Sequence, residues 1–306
     1  MMKRKYISNK FIHLPARLLL TLTVITMLFF CTEVSANASA KDVHEMADIC
    51  MQANRILKDY ALVGMGVDYN NPAKDLKENL ELIEKEIKDL EGHKQSKKIA
   101  AEIIEIEKSW HAIKPEFEKT PDKSKMHDLR VMVEKFTTRC EQVADDIAKD
   151  TGIKGEHNVV LVAELGMESQ RLAALYLIKA WGVDDPDYEE EVKEVVDQTE
   201  KIYKELLEAD EKLVSKEIKE KLRKVEKDFI AFSVMATSTT GRFMPSAAEK
   251  MASKIFKELR SILKMEEKLV EGTVSGYFTP IADEKTAGEI FRAITKIVAV
   301  AGEIRS

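Results

Sequence analysis

Residues 47–68, ADICMQANRILKDYALVGMGVD, and residues 163–184, AELGMESQRLAALYLIKAWGVD, align without a gap at an offset of 116. Seven of the 22 positions are identical (Ala, Met, Arg, Tyr, Gly, Val and Asp), and most others are close exchanges such as Asp48/Glu164 and Asn54/Gln170. A weaker echo relates Ile106–Trp110 to Val225–Phe229. A chain that carries one amphipathic unit twice is read as a duplication, and the fold has to be built from two copies.

Each copy reads as four helices. Met46, Ile49, Ala53, Ile56, Tyr60, Val63 and Val67 recur in steps of three and four, the seam of a helix packed in a bundle. Asn71-Pro72 caps and starts a second helix that runs to Gly92. A third spans about 96–117 with Pro115 near its end, and Thr120-Pro121 opens a fourth to about 150. The second copy repeats the plan at about 157–181, 186–209, 213–238 and 246–271, with Asp185-Pro186 as the matching cap. Ala, Leu, Glu and Lys dominate, Gly and Pro are few, and strand signals are absent. The expected fold is all-α: two tandem antiparallel four-helix bundles, residues 41–151 and 152–272, plus a C-terminal segment 273–306. In that segment 272–283 reads as a loop before a last helix. Its end, Ala301–Arg305, resembles the opening of the repeat, either the stub of a third copy or a docking helix.

The first forty residues differ in kind. Lys3, Arg4, Lys5, Lys10 and Arg17 precede an apolar and threonine run, Leu18–Phe30, too short for a comfortable span. Ala36-Asn37-Ala38 and Ala38-Ser39-Ala40 follow, both small-x-small. Residues 1–40 therefore read as a cleaved signal peptide, which places the chain in the periplasm. Residues 41–306 then carry 43 Lys+Arg and 53 Asp+Glu, a charge of −10 that argues against nucleic acid or anionic lipid as partners. No second apolar run of 18 residues exists, so a signal has to leave through another protein, a membrane-bound receptor or kinase. Cys50 and Cys140 remain. In an up-down bundle the start of the first helix lies beside the end of the fourth, which suits a disulfide between them.

The repeated core resembles the PilJ-type, or NarX-like, N-terminal sensor domain, whose first helix has the form A-G-x-x-R-M-x-S-Q-R-[ML]-A-K. Met167–Ala173 (MESQRLA) matches its second half, Tyr176 and Trp181-Gly182-Val183 continue it, and Met51–Ile56 is a looser match. The resemblance implies a sensor of type IV pilus chemotaxis or nitrate/nitrite signalling, in which such helices meet across a dimer and a motif arginine grips the anion. The positions of that earlier arginine are Cys50 and Gly166, with Asp48 and Glu164 nearby, a setting that repels nitrate.

Arg55 and Arg171, which recur at equivalent positions, are the candidate ligands for a small anion, with the amides of Asn54 and Gln170 beside them. A structural alternative pairs Arg55 with Asp59, and Arg171 with Glu168 or Glu164. Tyr60 and Tyr176 read as core aromatics with satisfied hydroxyls. The histidines His44, His93, His111, His127 and His157 are scattered and read as solvated. There is no haem-attachment motif, no Glu-x-x-His pair, no Walker loop and no nucleophile elbow. The expectation is a non-catalytic sensory or ligand-binding module with no cofactor or metal. The alternative is a helical scaffold of the cell envelope.

Overall fold

The computed structural model describes residues 39–238 and 242–277. The expected signal peptide up to residue 38 and the last helix with Arg305 lie outside the described residues. Among those described there are eight α-helices and no strand. They are α1 (Ala40–Gly64), α2 (Pro72–Glu91), α3 (Lys97–Phe117), α4 (Met126–Thr151), α5 (Glu156–Ala180), α6 (Tyr188–Glu208), α7 (Lys216–Ala236) and α8 (Pro245–Tyr277). The all-α class is as expected. No described helix is long and apolar enough to cross a membrane.

Several boundaries differ from expectation. Gly272 sits inside α8, which runs on to Tyr277, so the first half of the expected loop is helical. Before α6, Asp185 Oδ1 accepts the Asp187 N–H (3.2 Å), a local turn that delays the helix to Tyr188 rather than Pro186. Asn71 is at the N-cap of α2 as expected, but in a left-handed conformation (φ 55°) with no side-chain cap.

The halves correspond element by element. Ser96 and Ser215 cap α3 and α7, accepting from Ile99 N–H and Ile218 N–H, at an offset of 119. The same offset matches the buried positions of α4 and α8: Val133 with Ala252, Phe136 with Ile255, Cys140 with Leu259, Val143 with Ile262. Both copies of the repeat helix end in the same C-cap. Gly66 (φ 69°) and Gly182 (φ 78°) take the left-handed position. Val67 N–H then bonds Leu62 O (3.0 Å), and Val183 N–H bonds Ile178 O (3.2 Å). This is why Gly-Val is common to both copies.

Helix directions follow from the contacts. Arg55 meets Asn79 while Asp42 meets His93, so α1 and α2 are antiparallel. Tyr60 meets Asp122 while Cys50 meets Cys140, so α1 and α4 are too. By contrast α1 and α5 run parallel and nearly in repeat register. A Cβ on Gly166 would lie 2.3 Å from Met51 Sδ, and one on Gly64 would lie 2.2 Å from the Trp181 ring. The close approach thus depends on glycine at both places.

The α1–α5 pair is the centre of the molecule, with α2, α4 and α8 against α1 and α4, α6 and α8 against α5. The buried apolar side chains form one cluster through both halves. Such a position buries α5 from Val159 to Ile178 with few exceptions, and its sequence is correspondingly apolar except along the stripe Glu164, Glu168 and Arg171. The outer helices keep a single buried stripe, as in Leu76, Leu80, Ile83, Ile87 and Leu90 of α2.

Candidate functional site

The sequence-predicted residues fall into separate environments. Arg55 donates to Gln52 Oε1 (3.1 Å) and Asn79 Oδ1 (3.4 Å), pairs with Asp75 (3.6 Å), and lies 4.4 Å over the Phe256 ring. The expected Arg55–Asp59 pair is not made, because Asp59 is taken by Lys58 (3.0 Å) and Asn79 (3.2 Å). Arg171 pairs with Glu194 (3.0 Å), Glu134 (3.2 Å) and Glu168 (3.7 Å), so Glu168 rather than Glu164 is its partner on its own helix. Gln170 is fully buried and donates to Ala252 O (3.1 Å). Asn54 is buried and shares with Arg171 a cavity of about 10 Å³, room for one water and too small for a nitrate. Both guanidiniums are thus engaged by protein carboxylates.

Cys50 and Cys140 do meet, but as two free buried thiols; the expected disulfide is not formed. Cys50 Sγ turns back along its own helix and donates to Met46 O (3.3 Å). Burial, reinforced by the neighbouring thiol, pushes Cys50 well above the ordinary range, which leaves it protonated and unreactive.

Tyr60 and Tyr176 are core aromatics with satisfied hydroxyls. Each accepts a backbone N–H from the segment that leads into the fourth helix of its half, Asp122 before α4 (3.0 Å) and Met244 before α8 (2.8 Å). Two histidines expected to be solvated make contacts with carboxylates. His44 pairs with Glu267 (3.0 Å) at 13% side-chain exposure, and His93 pairs with the buried Asp42. Asp42, Glu45 and His93 have ligand-type atoms within 4.8 Å of one another, a grouping that fits a metal ion among the described residues. Asp42 already has two tasks there. It completes a capping box with Ser39 and ties the end of α2 to the start of α1.

The feature missed by sequence reading is an open groove of about 680 Å³ between α4, α5 and α6. Seven carboxylates line it against three cationic side chains. Glu164, Glu168 and Arg171 follow one another along α5, Glu134 and Glu141 come from α4, and Glu194 from α6. Arg171, held by three of these carboxylates, contributes little free positive charge. Glu168 has a side chain only 7% exposed, and its Oε2 accepts no hydrogen bond. Burial, then neighbouring carboxylates, pushes Glu141 and Glu164 up to about 7. Burial, against the pull of Arg171, brings Glu168 to about 7 as well. Such a surface repels anions and attracts cations. No protein-family model, no curated protein and no solved structure matches this chain.

Proposed function

We propose that this chain is a non-catalytic ligand-binding module of sensory type, exported to the periplasm and read out by a separate membrane-bound receptor or kinase. The observation that carries this is the parallel, in-register packing of α1 on α5 at the centre of the fold. In the PilJ/NarX-like receptors that the repeat resembles, such helices meet across a dimer; here one chain supplies both. Two parallel helices with glycines at their contact, flanked by an open groove along α5, form an element whose packing a bound ligand can bias. For export, the small-x-small segment runs directly into the Ser39 cap of α1. Cleavage after Ala38 keeps that cap; cleavage after Ala40 removes it, at a cost of about 1 kcal/mol.

A scaffold reading draws on one observation: Ile230 and Val234, one turn apart on α7, are exposed, as are Phe243 and Met244 before α8. The two readings part on thermal unfolding against a panel of small anions, amines and metabolites, nitrate and nitrite included. The sensory reading expects one class to raise the midpoint saturably, by about 2.7 kcal/mol in stability at a hundredfold excess over Kd. A flat panel would leave the scaffold.

A further inference from the structure

The second half departs from the first along one buried stripe. An offset of 116 matches the buried positions of α2 and α6, Leu76 with Val192 and Leu90 with Leu206. An offset of 119 matches those of α3 and α7, Ile103 with Leu222 and Ile113 with Phe232. In this register Ile83 and Ile87 of α2 give way to Thr199 and Tyr203 of α6, and Trp110 of α3 gives way to Phe229 of α7. Two buried isoleucines become hydroxyl-bearing residues, and an indole becomes a smaller phenyl ring. Thr199 and Tyr203 are both buried, and neither Thr199 Oγ1 nor the Tyr203 hydroxyl has a hydrogen-bond partner. A hydroxyl buried without a partner weighs against the fold, and two stand one turn apart on the same face of α6.

Both residues line a cavity of about 420 Å³ between α6 and α7. Sites for small molecules usually measure roughly 300–1,000 Å³ and set a few polar groups among apolar walls. The lining here is layered by depth. Thr199, Tyr203 and Phe229 are buried, Leu207 is half-buried, and Ile230 stands exposed at the edge. Glu200, Glu208 and Glu226 ring the more open part against a single cation, Lys204. We propose that this cavity binds a small phenolic amine. The ring packs on Phe229, Leu207 and Ile230, which also covers one of the exposed apolar side chains of α7. The phenolic hydroxyl, a donor and an acceptor at once, supplies the partner that Thr199 and Tyr203 lack, and the ammonium, a donor only, meets the carboxylates. The inference goes beyond the sensory reading, since the cavity can be filled whether or not the α1–α5 contact responds.

Isothermal titration of the purified, natively processed chain with tyramine tests this, with 4-hydroxyphenylacetate, a carboxylate in place of the ammonium, in parallel. The expected result is one saturable site per chain for tyramine and binding at least tenfold weaker for the acid. Thr199→Val/Tyr203→Phe removes both hydroxyls with little change in volume. It is expected to raise the unfolding midpoint while weakening tyramine at least tenfold. Phe229→Trp, which restores the ring of the first half, is the second variant and is expected to weaken tyramine by a similar factor. Unchanged tyramine binding in both variants would overturn the assignment of the cavity, and no saturable binding of tyramine would overturn the inference as a whole. The acid binding as tightly as the amine would overturn the amine. None of these outcomes bears on the α1–α5 contact, so the sensory reading stands or falls separately.

Discussion

Replacing Lys58 by Met is expected to destabilise the fold by about 3–5 kcal/mol, the usual cost of stripping one partner from a buried ion pair. Lys58 is fully buried near the end of α1. It pairs with Asp59 (3.0 Å) and with Glu249 of α8, both buried, and Ser253 donates to the other Glu249 oxygen. Burial already pushes Asp59 up to about 6 despite Lys58 and Arg55 beside it. Without the ammonium, two carboxylates face each other in the core. Urea unfolding of Lys58→Met should show the loss as a lower midpoint at unchanged slope. The double variant Lys58→Met/Glu249→Met should recover only part of it, because it removes one of the two stranded carboxylates and leaves Asp59 buried with Asn79. A Lys58→Met midpoint within 0.5 kcal/mol of the parent would show that the pair is solvated.

Glu266→Leu is expected to do the opposite and stabilise. Glu266 is completely buried on α8, neither carboxylate oxygen has a partner, and burial alone pushes its pKa to about 8. A carboxyl with a folded pKa raised from about 4.5 binds a proton more tightly in the fold than in the unfolded chain. Its contribution is therefore fully present below about 4.5 and is lost as pH rises through about 8. The parent should lose stability between pH 5 and pH 8, and Glu141, Glu164 and Glu168, raised to about 7, add to the same trend. Removing Glu266 should give about 2–4 kcal/mol at pH 8, discounted for relaxation and water entry, and clearly less at pH 5. Parallel chemical unfolding at the two pH values reads both effects. A gain that does not grow with pH would mean that Glu266 stays neutral throughout or is ionised and paired.

These two residues also mark where the sequence was opaque. The outer helices were legible because one apolar stripe per helix has one interpretation, as along Leu76–Leu90. The repeat was legible too, and the structure explains most of its identities. Gly66/Gly182 and Val67/Val183 form matching C-caps, and Tyr60/Tyr176 hold equivalent backbone N–H groups. Met51 packs at the central contact with Gly166. Nothing in the structure explains the identity of Asp68 and Asp184.

In α1 polar residues fall between the apolar steps. Because α2 and α8 cover that side, with Asn79 on Asp59, Glu249 on Lys58 and Arg260 on Asp48, these side chains and Gln52 lie inside. A signal for Glu266 did exist: it falls in phase with Ile255, Leu259, Ile262 and Val270, all buried. The groove left no such trace. Arg171 meets Glu134 and Glu194, 37 and 23 residues away, and only packing shows that carboxylates from three helices converge. Comparing the copies at Arg260 and Glu141 would have exposed a cation replaced by a carboxylate, but the three-residue length difference before the third helix hides that alignment.

Hydrogen exchange of the natively processed chain, with and without a saturating amount of the compound that raises the unfolding midpoint most, tests most directly whether a bound ligand reaches the central helix pair. The expected result is slower exchange in α4, α5 and α6 around Glu141, Glu168 and Glu194, together with a change in the α1 amides facing α5 between Met51 and Gly64. Identical exchange throughout α1 and α5, under conditions where titration shows the site filled, would contradict a sensory coupling through the α1–α5 contact.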